Sequence, residues 1–110
     1  MGALNPDNLI VSTENSPITD EVILPAGTYE RGTAIGKLNG AYGAIGETGY
    51  TAETAWGILA EGASSTSTIK ASQYVTGEFR KSKIVIKGTA VAVTVEDLVD
   101  PARKQGIFLK

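Results

Sequence analysis

Ala55-Trp56-Gly57-Ile58-Leu59-Ala60 is the most apolar run in this chain, and it reads as a buried strand. Ser64-Ser65-Thr66-Ser67-Thr68 follows as a loop. The next residues alternate: Ile69, Ala71, Gln73 and Val75 take one face, Lys70, Ser72, Tyr74 and Thr76 the other. That two-residue period is the mark of a strand with one face against a core. Gly77 reads as a turn. Phe79 and then Lys83-Ile84-Val85-Ile86-Lys87 give further strand, with Ile84 and Ile86 on one face.

Upstream of this block the strands are shorter. Val22-Ile23-Leu24 is a strand, Pro25-Ala26-Gly27 a turn, and Thr33 to Leu38 the next strand. Asn39-Gly40 is a strong hairpin signal, because both residues tolerate positive φ, and Ala41 to Ile45 is the return strand. Downstream, the chain turns helical. Thr94 can cap a helix start through its hydroxyl, with Glu96 and Asp97 in the first turn. Asp100-Pro101 looks like a second start and Gly106 a stop, so the expectation is one short broken helix or two single turns. Ile107-Phe108-Leu109 reads as a terminal strand. Many short strands and a late helix predict a mainly-β fold, a small single-domain β-barrel or meander with a short C-terminal helix.

Length and composition agree. A chain of 110 residues argues for one domain with one modest core. Thirteen glycines point to many turns. A net charge of −2 gives no electrostatic reason to expect nucleic acid. No run of about 18 apolar residues suggests a membrane helix, and Met1 to Ser16 lacks the pattern of a signal peptide. Residues 1–17 are polar except for Leu9-Ile10-Val11. They read either as a loose terminus or as a flexible arm that orders on a partner, where a β-prone triplet can add to a sheet edge. The domain boundaries expected are therefore 1–17 for the arm and 18–110 for the β-rich body.

The residue types exclude much chemistry. With no His and no Cys, the chain has neither a Ser-His or Cys-His nucleophile nor an imidazole or thiolate metal site. Glu96, Asp97 and Asp100 are the nearest carboxylate group, and first-turn capping accounts for them better than a metal does. The other glutamates are scattered, with no spacing that favours a catalytic pair. Gly32-Thr33-Ala34-Ile35-Gly36-Lys37 lacks the spacing and the following Ser or Thr of a phosphate loop. Arg80, Lys81, Lys83 and Lys87 form a basic cluster that suits an acidic partner or a phosphate or, more simply, the solvent face of an edge strand. Trp56 is a core residue or the anchor of a subunit interface. No enzyme, cofactor or metal is expected.

Taken in order, these segments resemble the lambda-type head decoration proteins of tailed bacteriophages. Thr54-Ala55-Trp56-Gly57-Ile58-Leu59-Ala60-Glu61, a Ser/Thr-rich loop and a strand ending Tyr74-Val75-Thr76-Gly77-Glu78-Phe79-Arg80 match that family's "G-I-L-A" and "G-x-F" elements. Leu24 to Lys37 resembles its opening "A-G … R-G-T-x-x-G" segment, and Gly106-Ile107-Phe108-Leu109 its end. The resemblance spans residues 18–110; Gly43 to Tyr50 departs from it. It implies a homotrimer at three-fold sites on the outside of an expanded capsid, clamping the major capsid protein. It implies that Leu9, Ile10 and Val11 are contacts of a capsid-binding arm. It also implies a location on the virion exterior after synthesis in the host cytoplasm, with no nucleic acid or membrane as partner. A generic β-barrel ligand- or carbohydrate-binding module is the alternative, although few aromatic residues are present to stack on sugars. A small carboxylate enzyme is the third and weakest reading.

Overall fold

A computed structural model describes residues 9–10 and 18–110. The strands are β1 (Ile18–Leu24), β2 (Gly27–Tyr29), β3 (Ala34–Leu38), β4 (Ala41–Ala44), β5 (Ala55–Leu59), β6 (Ala63–Ser65), β7 (Ile69–Phe79) and β8 (Ile107–Leu109), with one helix, α1 (Val95–Lys104). The main sheet has the order β1-β7-β5-β3-β4, antiparallel throughout, and β8 joins the far end of β7 in parallel. β2 and β6 form a separate two-stranded ribbon. The fold is mainly β, as the sequence predicts. The sheet curls until β1 and β4 approach each other, but no strand pairing joins them, so the expected barrel remains open.

Both faces of the sheet are buried, which explains the unbroken apolar run at β5. Ala55 and Ile58 face one core, with Ala34, Ile45, Phe79, Ile84, Leu98, Ala102, Ile107 and Leu109. Leu59 faces the other, with Val22, Leu24, Tyr29, Ile35, Ala44, Ile69 and Ala71. Each large side chain so buried stabilises the fold by roughly 1.5–3 kcal/mol.

Two bulges set which residue meets which core. The β3–β5 register passes from Ile35↔Gly57 to Gly36↔Ala55 and leaves Trp56 as the extra residue. Ala55 and Ile58, three positions apart, thereby reach the same core. In the β1–β7 pair the register passes from Thr19↔Tyr74 to Ile18↔Thr76, and Val75 is the extra residue. Ile69, Ala71 and Gln73 point to one side as the alternation predicts, but beyond the bulge Phe79 joins Tyr74 on the other. Their ring centroids lie 5.3 Å apart. Val75 is therefore not a fourth member of the buried row. A bulge adds one residue to one strand and re-aims the side chains beyond it.

Other expectations are corrected. Gly77 does not turn the chain; it continues β7 at φ +139, a conformation that suits glycine. Lys83 to Lys87 is not a strand. Residues 81–83 form a 3-10 turn, and Val85 makes one isolated parallel bridge to Thr33. Ser64 and Ser65, read as the start of a loop, belong with Ala63 to a strand that pairs with β2. The helix is continuous through Pro101 rather than broken there. Thr94 caps it: Asp97 N–H donates to Thr94 Oγ1 at 3.3 Å, and Thr94 N–H donates to Asp97 Oδ2 at 2.9 Å. Leu98 and Ala102 carry the helix's buried face.

Candidate functional site

Of the N-terminal triplet expected to contact a partner, the structure describes Leu9 and Ile10. Leu9 is 1% exposed and lies in the core with Phe79 and Ile84. Its carbonyl accepts from Arg80 N–H at 2.7 Å, and Ile10 bridges Phe79 in antiparallel sense. Both residues are thus docked on the body of their own domain, not held out as free contacts. Leu9 thus packs in the core that residues 18–110 form. Val11 and the rest of the expected arm lie outside the described residues. The available signal was the triplet itself, an apolar patch in a polar stretch, which the sequence alone leaves free to pack on either the domain or a partner.

Trp56 is neither deeply buried nor fully open. The Lys37 ammonium stands 4.4 Å from its ring centroid and 5.7 Å from that of Tyr42. Tyr42 faces Lys37 directly across the β3–β4 hairpin. The bulge at Trp56 and the Asn39-Gly40 turn, with φ of +52 and +82, bring the three side chains together. A cation over an aromatic face contributes about 0.5–1 kcal/mol at an exposed site. It also occupies one face of the indole.

The basic cluster does not form one strand face. Lys81 makes an ion pair with Glu96 at 2.9 Å, tying the 3-10 turn to α1. Lys87 reaches Glu47 at 3.4 Å and lies 5.0 Å from the Tyr29 ring centroid. Arg80 and Lys83 are exposed beside them. Lys81 and Lys87 are thus engaged within the domain, on two different partners.

The residues shared by the separate sequence motifs meet in the framework. Arg31 Nη1 donates to Tyr74 Oη at 2.9 Å and to the Ala60 carbonyl at 2.7 Å. Gly32 N–H donates to Leu59 O, and Leu59 N–H to Thr33 O, both at 2.9 Å. Thr33 is fully buried, and its hydroxyl donates to Glu30 O at 2.6 Å. Nothing in this set is poised for proton transfer or nucleophilic attack; it joins β3, β5 and β7.

A groove of about 620 Å³ runs between α1 and residues 51–53 and 91–93, with Glu53 on one side and Glu96, Asp97, Asp100 and Lys104 of the helix on the other. Glu96 is already paired with Lys81. Among the described residues no group of three Asp or Glu side chains is arranged to hold a metal ion, and no helix is long and apolar enough to cross a membrane. Large apolar side chains are exposed on the marginal strands β1 (Ile18, Ile23) and β8 (Phe108) and at the hairpin end of β3 (Leu38). A scan against protein-family models and a search of curated proteins both found no match to this chain.

Proposed function

We propose that this protein is a structural component of a phage head, binding the outside of the expanded capsid as a trimer at three-fold sites and clamping the major capsid protein. The observation that carries the reading is the bonding among the motif segments. Arg31 from the "R-G-T" segment ties Ala60 to Tyr74, so the residues of the resemblance serve a rigid scaffold and not a cleft. Exposed Ile18, Ile23 and Phe108 on marginal strands offer apolar surface for subunits or shell. Three copies of one modest contact on a symmetric trimer give large avidity. A part that only reinforces a shell needs no nucleophile, metal or cofactor. The small number of aromatic residues, with the ammonium over one face of Trp56, counts against a sugar-binding module.

The test is co-sedimentation of the purified chain with expanded, undecorated capsids of the parent phage. Saturation near one copy per capsid protein is the expected result. Absence of binding to expanded shells sinks the proposal and turns attention to ligand and glycan screens.

A further inference from the structure

We propose that the outer edge of β1 is a docking strip for a partner protein: an extended segment carrying adjacent Lys or Arg residues adds there as the next strand of the main sheet. The proposal goes beyond decoration of a shell and does not rest on it, because the partner is defined by its chemistry alone.

β1 stands at one end of the order β1-β7-β5-β3-β4, and among the described residues no strand pairs with its other side. The neighbouring strand shows which backbone groups face that open side. Ser72 of β7 turns its main chain away from β1: its N–H donates to Glu61 Oε2 at 3.1 Å, and its carbonyl accepts from Ala60 N–H at 2.8 Å. Glu21, opposite Ser72, therefore directs its own N–H and C=O outward. The alternation of an antiparallel ladder gives Thr19 and Ile23 the same orientation. All three residues are exposed. Edge strands are commonly blunted by lysine, proline or short length. β1 has seven residues and neither lysine nor proline. The Asp20 carboxylate covers the middle of its edge, where Oδ1 accepts from Glu21 N–H at 2.8 Å.

Charge decides what fits. Asp20 lies on the face of β1 that carries Val22 and Leu24, and Glu21 on the other with Ile23. An incoming strand thus meets a carboxylate on each face at the middle of the edge. A second copy of β1, antiparallel and centred on Glu21, would set these carboxylates opposite their own kind, which is destabilising. Adjacent Lys or Arg residues instead meet one carboxylate each. Lys70 approaches Glu21 to 3.9 Å, but both side chains are more than half exposed, so this pair gives way easily. Asp20 then has two roles. In the free domain it satisfies the Glu21 amide. On docking, a carbonyl of the incoming strand takes that amide and Asp20 turns to the cation beside it. Further along, Ile23 borders a groove of about 460 Å³ with Pro25, Ala41 and Tyr42, at the seam where β1 nears β4. An apolar residue two positions from the Lys or Arg opposite Glu21 reaches this groove, since alternate residues of a strand share a face.

The probe is the end-blocked peptide Val-Thr-Lys-Lys-Thr-Val, with Val-Thr-Glu-Glu-Thr-Val as control, added to the full chain and followed by amide NMR shifts and hydrogen exchange. The lysine peptide is expected to bind at least tenfold more tightly than the glutamate peptide, to slow exchange of the Thr19 and Ile23 amides, and to weaken as salt rises. Ile23→Pro removes an outward N–H and leaves the β7 pairing intact, a substitution that edge strands accept. It is expected to lower affinity at least tenfold. Asp20→Asn with Glu21→Gln keeps the side-chain shapes and is expected to lower it as much. Equal affinity for the two peptides, or shifts centred on the acidic residues of α1, overturns the proposal in favour of general charge attraction. Binding of neither peptide overturns it as well. So does protection of the Thr19 and Ile23 amides before peptide is added: at all protein concentrations it assigns the edge to another segment of this chain, and growing with concentration it assigns the edge to a second copy. Co-sedimentation with shells is scored separately, and its failure leaves each of these outcomes unchanged.

Discussion

The carboxamide oxygen of Gln73 occupies the space that a Cβ on Gly57 would take, so one residue of β7 depends on the absence of a side chain on β5. Gln73 is completely buried, and neither its Nε2 nor its Oε1 has a hydrogen-bond partner among the described residues. Gly57→Ala is expected to destabilise the fold by about 1–3 kcal/mol, the range for overpacking a filled core. Gln73→Met keeps the length and removes the unpaired amide, and is expected to stabilise by about 1 kcal/mol or more. Urea unfolding of both variants checks this, and combining Gly57→Ala with Gln73→Ala should recover part of the loss. A destabilising Gln73→Met means that the amide has a partner in solution, such as a buried water.

A second close approach lies at the other end of the sheet. Gly46, at φ +98, meets Gly88 so closely that a Cβ on either residue would overlap the backbone of the other. Gly88 N–H donates to Ile45 O at 3.1 Å and Val91 N–H to Gly46 O at 2.8 Å, which pins the long segment after Val85 to the turn after β4. Gly88→Ala cannot be absorbed by side-chain motion, because the obstructing atoms are main chain. It is expected to cost about 3 kcal/mol or more, visible as a large fall in the urea midpoint. A loss below about 1 kcal/mol would mean that the segment shifts freely and does not brace the sheet.

How far the sequence discloses this fold depends on whether a signal is local. The Asn39-Gly40 hairpin and the Thr94 cap are both legible, since each needs only residues that lie beside one another. The β7 alternation is legible up to the bulge: it places Gln73 on the buried face with Ile69 and Ala71. Val75 breaks the pattern because the bulge is set by how β1 and β7 register, which a single strand's residues do not state. Lys83 to Lys87 has a strand's pattern, but among the described residues it finds only Thr33 as a bridging neighbour, through Val85. Leu9 illustrates the same limit at the candidate site. Its apolar character is plain, but whether it packs on its own domain depends on a socket made by Gly32, Phe79 and Ile84, far away in sequence.

Helix α1 combines a strong start with an internal fault. Thr94 and Asp97 satisfy each other's backbone N–H groups, and removing such a cap typically costs about 1 kcal/mol. Pro101 sits in the interior, where it lacks the N–H that would reach back to Asp97. Thr94→Ala should therefore destabilise by about 1 kcal/mol, and Pro101→Ala should stabilise by about 1–2 kcal/mol, part of the usual proline penalty being already absorbed by the local geometry. Thermal and urea unfolding of the two variants should move in opposite directions. Equal losses from both would show that the Pro101 ring contributes packing in the groove beside Ala52 and Val93 that outweighs its missing donor.

Tyr29 is expected to weaken the fold at alkaline pH. Its hydroxyl donates to Pro25 O at 2.9 Å, and the side chain is buried in the core with Leu24 and Ile69. Burial, and then the nearby Glu47 and Tyr50, push its pKa above the ordinary phenol value. The unfolded chain gives up this proton near pH 10 while the native protein still holds it. The unfolded state then binds fewer protons than the native state, so stability falls as pH rises past that point and keeps falling until the native phenol ionises. Below that window the shift has no effect on stability. Tyr29→Phe loses the hydrogen bond, about 1 kcal/mol at neutral pH, but should show a shallower decline at high pH. Urea midpoints of the two proteins measured from about pH 8 to 11, alongside the tyrosinate absorbance, separate these effects. Parallel declines would assign the alkaline loss to another group and leave Tyr29 with a packing role only.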